Sequence, residues 1–246
     1  MVVNQIYNGD CFGILSQIPD KSVDLIVTDP PYSIHNTHID AEIDLFRMWE
    51  EFNRIIKPKR NILVFAGGMF FHKLIMSNTK KFRYELIWAK SKPGSPLTAK
   101  YMPLKKHEFI CVFGDSASLY NPQMEEGEPY ARKLTLTKNN NLNYGVKSVE
   151  TNNTGTRHPS SILSNFPQKW SRQQQGQVHP FLKPVSLLQW LIRSYSNEGD
   201  LVLDPFMGSG TTCLAAKEEN RNYIGIELDT KYFKIAENRI ENNIIL

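Results

Sequence analysis

Short apolar runs alternate with helical patterns at both ends of the chain. Val23–Val27 is a compact apolar run that predicts a buried strand, and Asn61–Ala66 and Leu201–Leu203 have the same character. Apolar positions recur at helical spacing in Leu45–Ile56 and Pro184–Tyr195, which predicts two amphipathic helices. Strands that alternate with helices in this way indicate an open, largely parallel α/β sheet.

The weaker patterns complete this outline. Further strands are predicted over Val2–Tyr7, Glu85–Ala89, Phe109–Phe113 and Tyr223–Ile226, and further helices over Thr211–Asn220 and Asp229–Asn242. Several predicted strands end at or next to an acid, namely Asp10, Asp29, Asp204 and Glu227. Ligands of open α/β sheets bind beyond the carboxyl ends of the strands. The acids therefore predict a ligand site at that edge of the sheet.

The periodicity fades between residues 115 and 178, where Asn, Thr, Ser, Gln and Gly dominate. A long, weakly patterned stretch inside a compact domain is typical of a functional insertion. We therefore predict one α/β domain made of residues 1–114 and 179–246, interrupted by an insertion over residues 115–178.

Positive charge is concentrated in the same stretch. The net charge of the 246 residues is only +4, but residues 132–183 contain eight Lys or Arg and a single acid, Glu150. This local excess predicts a face that binds a polyanion, although a solvated loop rich in basic residues is the alternative. Arg157, Lys169 and Arg172 are the candidate contacts.

The three cysteines, Cys11, Cys111 and Cys213, are far apart and none belongs to a CxxC pair. This spacing argues against a disulfide framework and against a structural metal site, so we expect no metal and a reducing compartment. Because no apolar run is long enough to cross a bilayer and no leader pattern opens the chain, we expect a cytoplasmic protein without membrane contact.

A glycine-rich turn follows one of the predicted strands. Leu203-Asp204 leads into Gly208-Ser209-Gly210 and then into a predicted helix at Thr211. Glycines allow positive φ and close approach of a ligand to the backbone, and amides at a helix start can bind an anion. Glu227, seventeen residues after Gly210, ends the next strand, where a carboxylate can bind a ribose. The pattern predicts a nucleoside-type cofactor, with a merely structural turn as the alternative.

A second loop, Asp29-Pro30-Pro31-Tyr32, ends the strand at Val23–Val27. Two prolines fix φ at about −65° and remove two backbone donors, so the loop presents a carboxylate beside bare carbonyl oxygens. Such a pair of acceptors suits an aromatic amine, and Tyr32 offers a flat face for stacking. A proline-stiffened turn with a capping acid is the alternative.

Together, Asp29-Pro30-Pro31-Tyr32 and the downstream run from Asp204 to Thr212 closely resemble the amino-methyltransferases of DNA. More narrowly, they resemble the beta group of N6-adenine methyltransferases, in which the catalytic motif precedes the cofactor motif. His179–Pro184 resembles the motif that opens the cofactor site, and Asn8–Cys11 resembles the segment that reaches the cofactor's adenine.

The resemblance implies a Rossmann-like S-adenosylmethionine-dependent methyltransferase fold. Its seven-stranded, mostly parallel sheet carries helices on both faces, and its chain order is circularly permuted. The strand that ends at Asp29 is expected beside the one that ends at Asp204. The insertion corresponds to the family's target-recognition segment.

The resemblance also implies roles for individual residues. Asp29, Pro30, Pro31 and Tyr32 would be catalytic. The cofactor would be bound by Asp10, Cys11, Asp29, Phe181, Lys183, Asp204, Phe206, Gly208, Ser209, Gly210, Thr211, Thr212 and Glu227. S-adenosylmethionine would be converted to S-adenosylhomocysteine as an adenine flipped out of double-stranded DNA is methylated by direct displacement. A cognate restriction enzyme and a homodimer are further expectations.

Several alternatives stay open. Methylation of a cytosine ring carbon is not one of them, because it requires a cysteine nucleophile, usually after a proline, and no cysteine here follows one. Adenine N6 and cytosine N4 both suit the loop, and Asp at position 29 favours adenine. A non-catalytic DNA-binding module on the same fold is a different alternative. A nicotinamide or flavin oxidoreductase is another, and Cys213 fits it poorly, because Gly or Ala is expected there.

Overall fold

The carboxyl ends of the parallel strands meet at one edge of a central sheet. The computed structural model of the chain describes residues 2–32, 42–94, 96–135, 148–167 and 182–244. The strands are β1 (Gln5–Asn8), β2 (Val23–Thr28), β3 (Ile56–Ala66), β4 (Phe82–Ala89), β5 (His107–Gly114), β6 (Glu125–Glu126), β7 (Tyr130–Thr135), β8 (Ser148–Asn153), β9 (Thr156–Arg157), β10 (Ile162–Leu163), β11 (Leu201–Asp204) and β12 (Asn222–Glu227). The helices are α1 (Cys11–Leu15), α2 (Leu45–Ile55), α3 (Gly68–Ser77), α4 (Val185–Tyr195), α5 (Thr211–Glu218) and α6 (Thr230–Glu241).

The central sheet has the order β1-β12-β11-β2-β3-β5-β4-β10 among the described residues. Its pairs are parallel except those of β5, which runs antiparallel to both β3 and β4. The expected fold class is confirmed, and β2 lies beside β11 as expected. The strand count differs from the expected seven, because the two-residue β10 pairs with β4 and adds an eighth strand at that edge.

Helices cover both faces of the sheet because its central strands are apolar on both sides. Leu25 and Val27 of β2 pack in one cluster with α4, α5 and the buried residues of α6. Ile26, which points to the opposite face, packs in a second cluster with α1, α2 and α3. The continuous apolar run in β2 therefore reflects burial between two helical layers.

Three local features differ from the sequence predictions. Helix α1 has only five residues, too few to show a helical period, and α3 is so apolar that its buried positions do not stand out. Strand β3 begins at Ile56, directly after α2, and includes Pro58. Proline is tolerated there because the register shifts between Val23 and Leu25, so Pro58 lies in an irregular part of the ladder.

Residues 122–160 form a separate compact unit. Within it, β6 pairs with β9 and β7 pairs with β8, both antiparallel. This unit is narrower than the predicted insertion over residues 115–178. Residues 115–121 belong to the main unit, where the Leu119 amide donates to the Lys59 carbonyl oxygen at 3.0 Å. No helix in the described parts of the chain is both long and apolar enough to cross a membrane.

Candidate active site

The two motifs meet where β2 and β11 end. These strands are parallel neighbours, and the Thr28 hydroxyl donates a buried hydrogen bond of 2.7 Å to Oδ1 of Asp204. Thr28 directly precedes Asp29, and Asp204 precedes the glycine turn. Segments that are far apart in the chain are thereby joined at one edge of the sheet.

The Asp29–Tyr32 loop is held in shape by its own side chains. The Tyr32 hydroxyl donates to Oδ1 of Asp29 at 2.6 Å, and the Tyr32 ring stacks on Phe70 with the centroids 4.9 Å apart and the planes 15° apart. Burial raises the pKa of Tyr32 well above its usual value, and the nearby Asp29 raises it further. The phenol therefore remains a hydrogen-bond donor. Pro30, within the same loop, is buried.

Lys183 contacts the other oxygen of the same carboxylate. Its ammonium donates to Oδ2 of Asp29 and lies 3.3 Å from Oε2 of Glu108, which also forms an ion pair with Lys90. Burial disfavours the charged form of Lys183, but the two carboxylates outweigh it and raise the pKa of Lys183. Burial likewise disfavours ionised Glu108, but Lys183 and Lys90 outweigh that effect and lower the pKa of Glu108. The result is a run of alternating charges that ends at Asp29.

The glycine turn has the backbone geometry that its sequence requires. Gly208 has φ 54° and Gly210 has φ 78°, in the left-handed region that favours glycine. Gly210 is the N-cap of α5, and no side chain caps the helix. The first amides of α5 therefore lack a side-chain acceptor, which suits an anionic ligand group.

Helix α6 supports this turn from behind. A methyl group on Gly210 would lie 2.8 Å from Cβ of Ala236. The buried Arg239 donates through Nη1 to the Ser209 carbonyl oxygen at 2.6 Å, to the Ser209 hydroxyl at 3.0 Å and to the Thr211 hydroxyl at 3.1 Å. Burial lowers the pKa of Arg239 to about 10. Sequence reasoning missed Arg239, because an arginine in an amphipathic helix is usually a solvent-facing residue.

Close packing of α5 on the sheet depends on Gly225 in β12. A methyl group there would lie 2.6 Å from Sγ of Cys213 and would also clash with Sδ of Met207. A dinucleotide-binding turn has a small residue in its helix, where this chain has Cys213. Here the small residue is Gly225 in the adjacent strand, and it leaves room for the Cys213 side chain.

Asp204 is a buried acid at the centre of the site. Burial raises its pKa to about 6, although hydrogen bonds from Thr212, Thr28 and the Phe206 amide favour the ionised form. Because this pKa lies below neutral pH, Asp204 is mostly ionised at neutral pH, and the folded chain keeps a buried negative charge. Such a cost to stability is typical of functional sites.

Glu227 braces the turn in the structure. Its Oε2 accepts from the Gly208 amide at 2.9 Å, and its Oε1 accepts from the Asp229 amide at 2.7 Å. Burial raises its pKa above the usual value. Each oxygen has a further lone pair, so the expected ribose contact is compatible with this bracing.

An open cleft with about 420 Å³ of empty space lies between the two motifs. The candidate residues that line it are Asp29, Lys183, Asp204, Phe206, Gly208, Ser209, Thr211 and Thr212. Gly210 and Glu227 lie outside its lining and act on the turn instead. Asp10 caps α1 by accepting from the Gly13 amide at 2.9 Å, and Cys11 is buried in the first turn of that helix.

One of the three candidate DNA contacts, Arg157, lies in the separate unit of residues 122–160. Arg157 is engaged within residues 122–160, where it stacks 4.7 Å from the centroid of Tyr130 and donates to Asn153 and Glu128. Its contacts hold the β-ribbons together. Lys169, Arg172 and the cofactor candidate Phe181 lie outside the described residues.

The cysteines are all buried thiols. Burial raises the pKa of Cys11 and of Cys111 to about 12 and that of Cys213 well above its usual value. Thiols with such pKa values stay protonated near neutral pH and are poor nucleophiles. No cluster of three or more His, Cys, Asp or Glu suited to a metal ion exists in the described part of the chain.

Comparison with known proteins identifies the family. The profile of the DNA methylase family matches residues 23–238. The chain is 30% identical over 264 residues to the DNA adenine methyltransferase YhdJ of Escherichia coli (strain K12), an alignment that covers 96% of this chain and 82% of that protein. It is 27% identical over 243 residues to the type II methyltransferase M.HpaI of Haemophilus parainfluenzae, covering 93% and 71% of the two chains.

Among solved structures, the PvuII cytosine-N4-specific DNA methyltransferase superposes with a TM-score of 0.72 at 20% identity, covering 98% of this chain and 87% of that one. Because identity this low shows only the fold, the family assignment rests on the sequence profile and on the relative at 30% identity. The chain is a member of the DNA methylase family.

Proposed function

We propose that the chain transfers a methyl group from S-adenosylmethionine to the N6 amino group of adenine in double-stranded DNA, as a beta-group enzyme. The observation that carries this proposal is the junction of β2 and β11. There a carboxylate with proline-stiffened carbonyls adjoins a glycine turn whose helix has no side-chain cap, across one 2.7 Å hydrogen bond from Thr28 to Asp204.

The cleft fits the proposed cofactor. Uncapped amides at the start of α5 suit the carboxylate of its amino acid part, and Glu227 at the end of β12 suits its ribose hydroxyls. We infer that the remaining contacts come from Asp10, Cys11, Asp29, Phe181, Lys183, Asp204, Phe206 and the residues from Gly208 to Thr212. When bound, this cofactor supplies a methyl group on a strongly electrophilic sulfonium, so the protein mainly positions the acceptor.

Asp29 and the Pro30 carbonyl hold the acceptor amine in this proposal. The oxygens of Asp29 already accept hydrogen bonds from Tyr32 and Lys183, but each has a second lone pair that can accept an amine N–H. Two accepted hydrogen bonds draw the nitrogen lone pair out of conjugation with the ring. The methyl group would leave the sulfonium as S-adenosylhomocysteine is released, the methylated nitrogen would have to lose a proton, and Asp29 is the adjacent acceptor. Tyr32, backed by Phe70, offers a face on which the base can stack.

Adenine is the preferred base on two grounds. Asp at position 29 favours adenine among amino-methyltransferases, and the relative YhdJ, at 30% identity, is named a DNA adenine methyltransferase. Cytosine N4 is the alternative, since a cytosine-N4-specific enzyme has the same fold. A partner restriction enzyme, a homodimer and recognition of the DNA sequence by residues 115–178 stay predictions.

Methylation-aware sequencing of treated DNA tests the proposal most directly. Unmethylated duplex DNA of mixed sequence is incubated with the protein and S-adenosylmethionine, and each modified base is read with its context. We expect N6-methyladenine in one recurring sequence. Modified cytosine would mean that the base is misassigned, and an unmodified product from protein that binds the cofactor would favour a DNA-binding module without catalysis.

A further inference from the structure

Residues 90–106, here called the lysine loop, connect β4 to β5 and carry a charge that no motif explains. The loop contains no Asp or Glu but five lysines: Lys90, Lys92, Lys100, Lys105 and Lys106. It lies outside the basic stretch over residues 132–183. Its charge is therefore a second, separate positive region of the chain.

The base of the lysine loop is ordered by the backbone. The Lys90 amide donates to the Lys106 carbonyl oxygen at 2.9 Å, and the Gly94 amide donates to the Lys105 carbonyl oxygen at 2.9 Å. The pairing of β4 and β5 thus continues into the loop. Its tip exposes apolar side chains, since Tyr101 is 85% exposed and Met102 is 58% exposed. A pinned base with an exposed aromatic tip is typical of a binding element.

The loop leaves the sheet at the edge that holds the candidate active site. Strand β4 runs in the same direction as β2, so both chains emerge at the same edge. Lys105 lies near the Asp29–Tyr32 loop. A methyl group on Gly67 would lie 2.7 Å from Nζ of Lys105 and 3.7 Å from Cε2 of Tyr32, so the ammonium and the ring approach the same glycine.

Most of the charge in the loop is not neutralised. Lys90 forms an ion pair with Glu108, but within the described residues no ion pair involves Lys92, Lys100, Lys105 or Lys106. All four of these lysines are exposed. Repulsion between unpaired ammonium groups is relieved when a polyanion binds and neutralises them.

We propose that the lysine loop binds the backbone of duplex DNA beside the target base. Lys105, next to Tyr32, would contact the phosphate nearest the extruded nucleotide. Lys92, Lys100 and Lys106 would contact neighbouring phosphates, and Tyr101 would pack on a sugar or a base. The identification of the polyanion as duplex DNA rests on the proposed function.

Salt-dependent binding tests this role. The double variant Lys100→Ala/Lys105→Ala is compared with Lys21→Ala/Lys80→Ala, which removes the same charge from two exposed lysines that precede β2 and β4 at the opposite edge of the sheet. Binding of a fluorescein-labelled duplex of about 30 base pairs is measured by anisotropy over a range of KCl concentrations, because each lost phosphate contact reduces the slope of log K against log salt by about 0.9.

We expect the loop variant to lose about two units of slope and to bind DNA at least about tenfold more weakly, while the control variant keeps the wild-type slope. Tyr101→Ala should weaken binding without changing the slope, since stacking is not ionic. Binding of S-adenosylmethionine should be unchanged in all three variants, which checks the fold.

Wild-type slope and affinity in the loop variant would overturn the inference, and so would equal losses in the loop and control variants. A chain that prefers single-stranded RNA over duplex DNA would overturn the choice of partner. Failure of the proposed function is recognised separately, because wild-type protein would then transfer no labelled methyl group to DNA.

Discussion

The ends of β2 and β11 are neighbours but are built in opposite ways. The Asp29 loop is held by charge and by a stacked ring, with its carboxylate between Tyr32 and Lys183. The glycine turn is held by shape, with Gly210 packed against Ala236 and supported from behind by Arg239.

The difference agrees with the roles proposed for the two elements. A loop that accepts an amine needs oxygen atoms whose existing partners leave lone pairs available. A turn that binds a ligand through its amides must leave those amides accessible to the ligand, so the residues that support the turn pack on its opposite side. Charge-held and shape-held elements should therefore fail differently when they are mutated.

Asp29→Ala is expected to have the largest effect. Removing the acceptor should lower kcat for methyl transfer by about a thousandfold, within the range that a positioned acid or base contributes. The Kd for S-adenosylmethionine should rise far less than kcat falls, because Asp29 is only one of many expected cofactor contacts and Lys183 keeps Glu108 as a partner. Radiolabelled methyl transfer and isothermal titration calorimetry measure the two quantities. Glu198→Ala, which removes an exposed acid, is the matched control. Equal loss of transfer and of cofactor binding would show that the loop is misassigned.

Gly210→Ala should break the shape-held element. The substitution forces a side chain into positive φ and places Cβ 2.8 Å from Cβ of Ala236, so we expect a loss of about 2–4 kcal/mol in the free energy of unfolding. Urea denaturation measures it. Gly199→Ala is the control, because Gly199 has φ 80° but no atom within 4 Å of the added methyl. Similar losses in the two variants would assign the effect to backbone conformation rather than to the support from α6.

Asp204 makes stability depend on pH with an unusual sign. Its pKa of about 6 in the folded chain exceeds the ordinary value, so the folded chain binds the extra proton. The stabilisation is complete below about pH 4 and is lost as pH rises through about 6, at a cost of about 3 kcal/mol. Asp204→Asn should remove this loss. Urea denaturation in steps of about one pH unit from about pH 4 to about pH 7 measures the free energy of unfolding of the variant and of wild type. If the two free energies change with pH in parallel, the assignment to Asp204 is refuted.

Arg239→Met is expected to have the smallest effect of the four. It removes three hydrogen bonds from the turn while keeping an apolar stem, so we expect about a tenfold weaker Kd for S-adenosylmethionine with little change in kcat at saturating cofactor. Lys217→Met is the control, because Lys217 donates to the Ile240 carbonyl oxygen and ties α5 to α6 without contacting the turn. Equal Kd values in the two variants would mean that Arg239 serves stability alone.

The fold class and the two motifs could be predicted from local chemistry, and the junction of the two motifs was predicted from the family resemblance. An apolar run that stops at two prolines must end a strand, and a Gly-x-Gly turn before a helix has few uses. The supporting residues were out of reach for the opposite reason. Arg239, Glu108 and Phe70 are defined by partners that lie far away in the chain, and nothing in their own neighbourhood distinguishes them from surface or core residues.

The lysine loop shows the same limit in a different form. Its five lysines are plain in the sequence, but they gain meaning only because β4 ends at the same edge as β2. The basic stretch over residues 132–183 was predicted to bind a polyanion from its charge alone. Arg157, its described candidate, makes contacts within its own unit, and its role in binding DNA stays a prediction.

The strand order also has a consequence for synthesis of the protein. Strands β11 and β12 lie between β1 and β2, so β1 has no neighbour in the sheet until residues 201–227 have been made. The nascent chain cannot assemble the Thr28–Asp204 junction before that point, however early its first half is translated. Nascent chains that have not reached residue 227 should therefore lack methyl-transfer activity and expose the unpaired edges of β1 and β2, which makes the synthesis of residues 201–227 the step at which chaperones have most to protect.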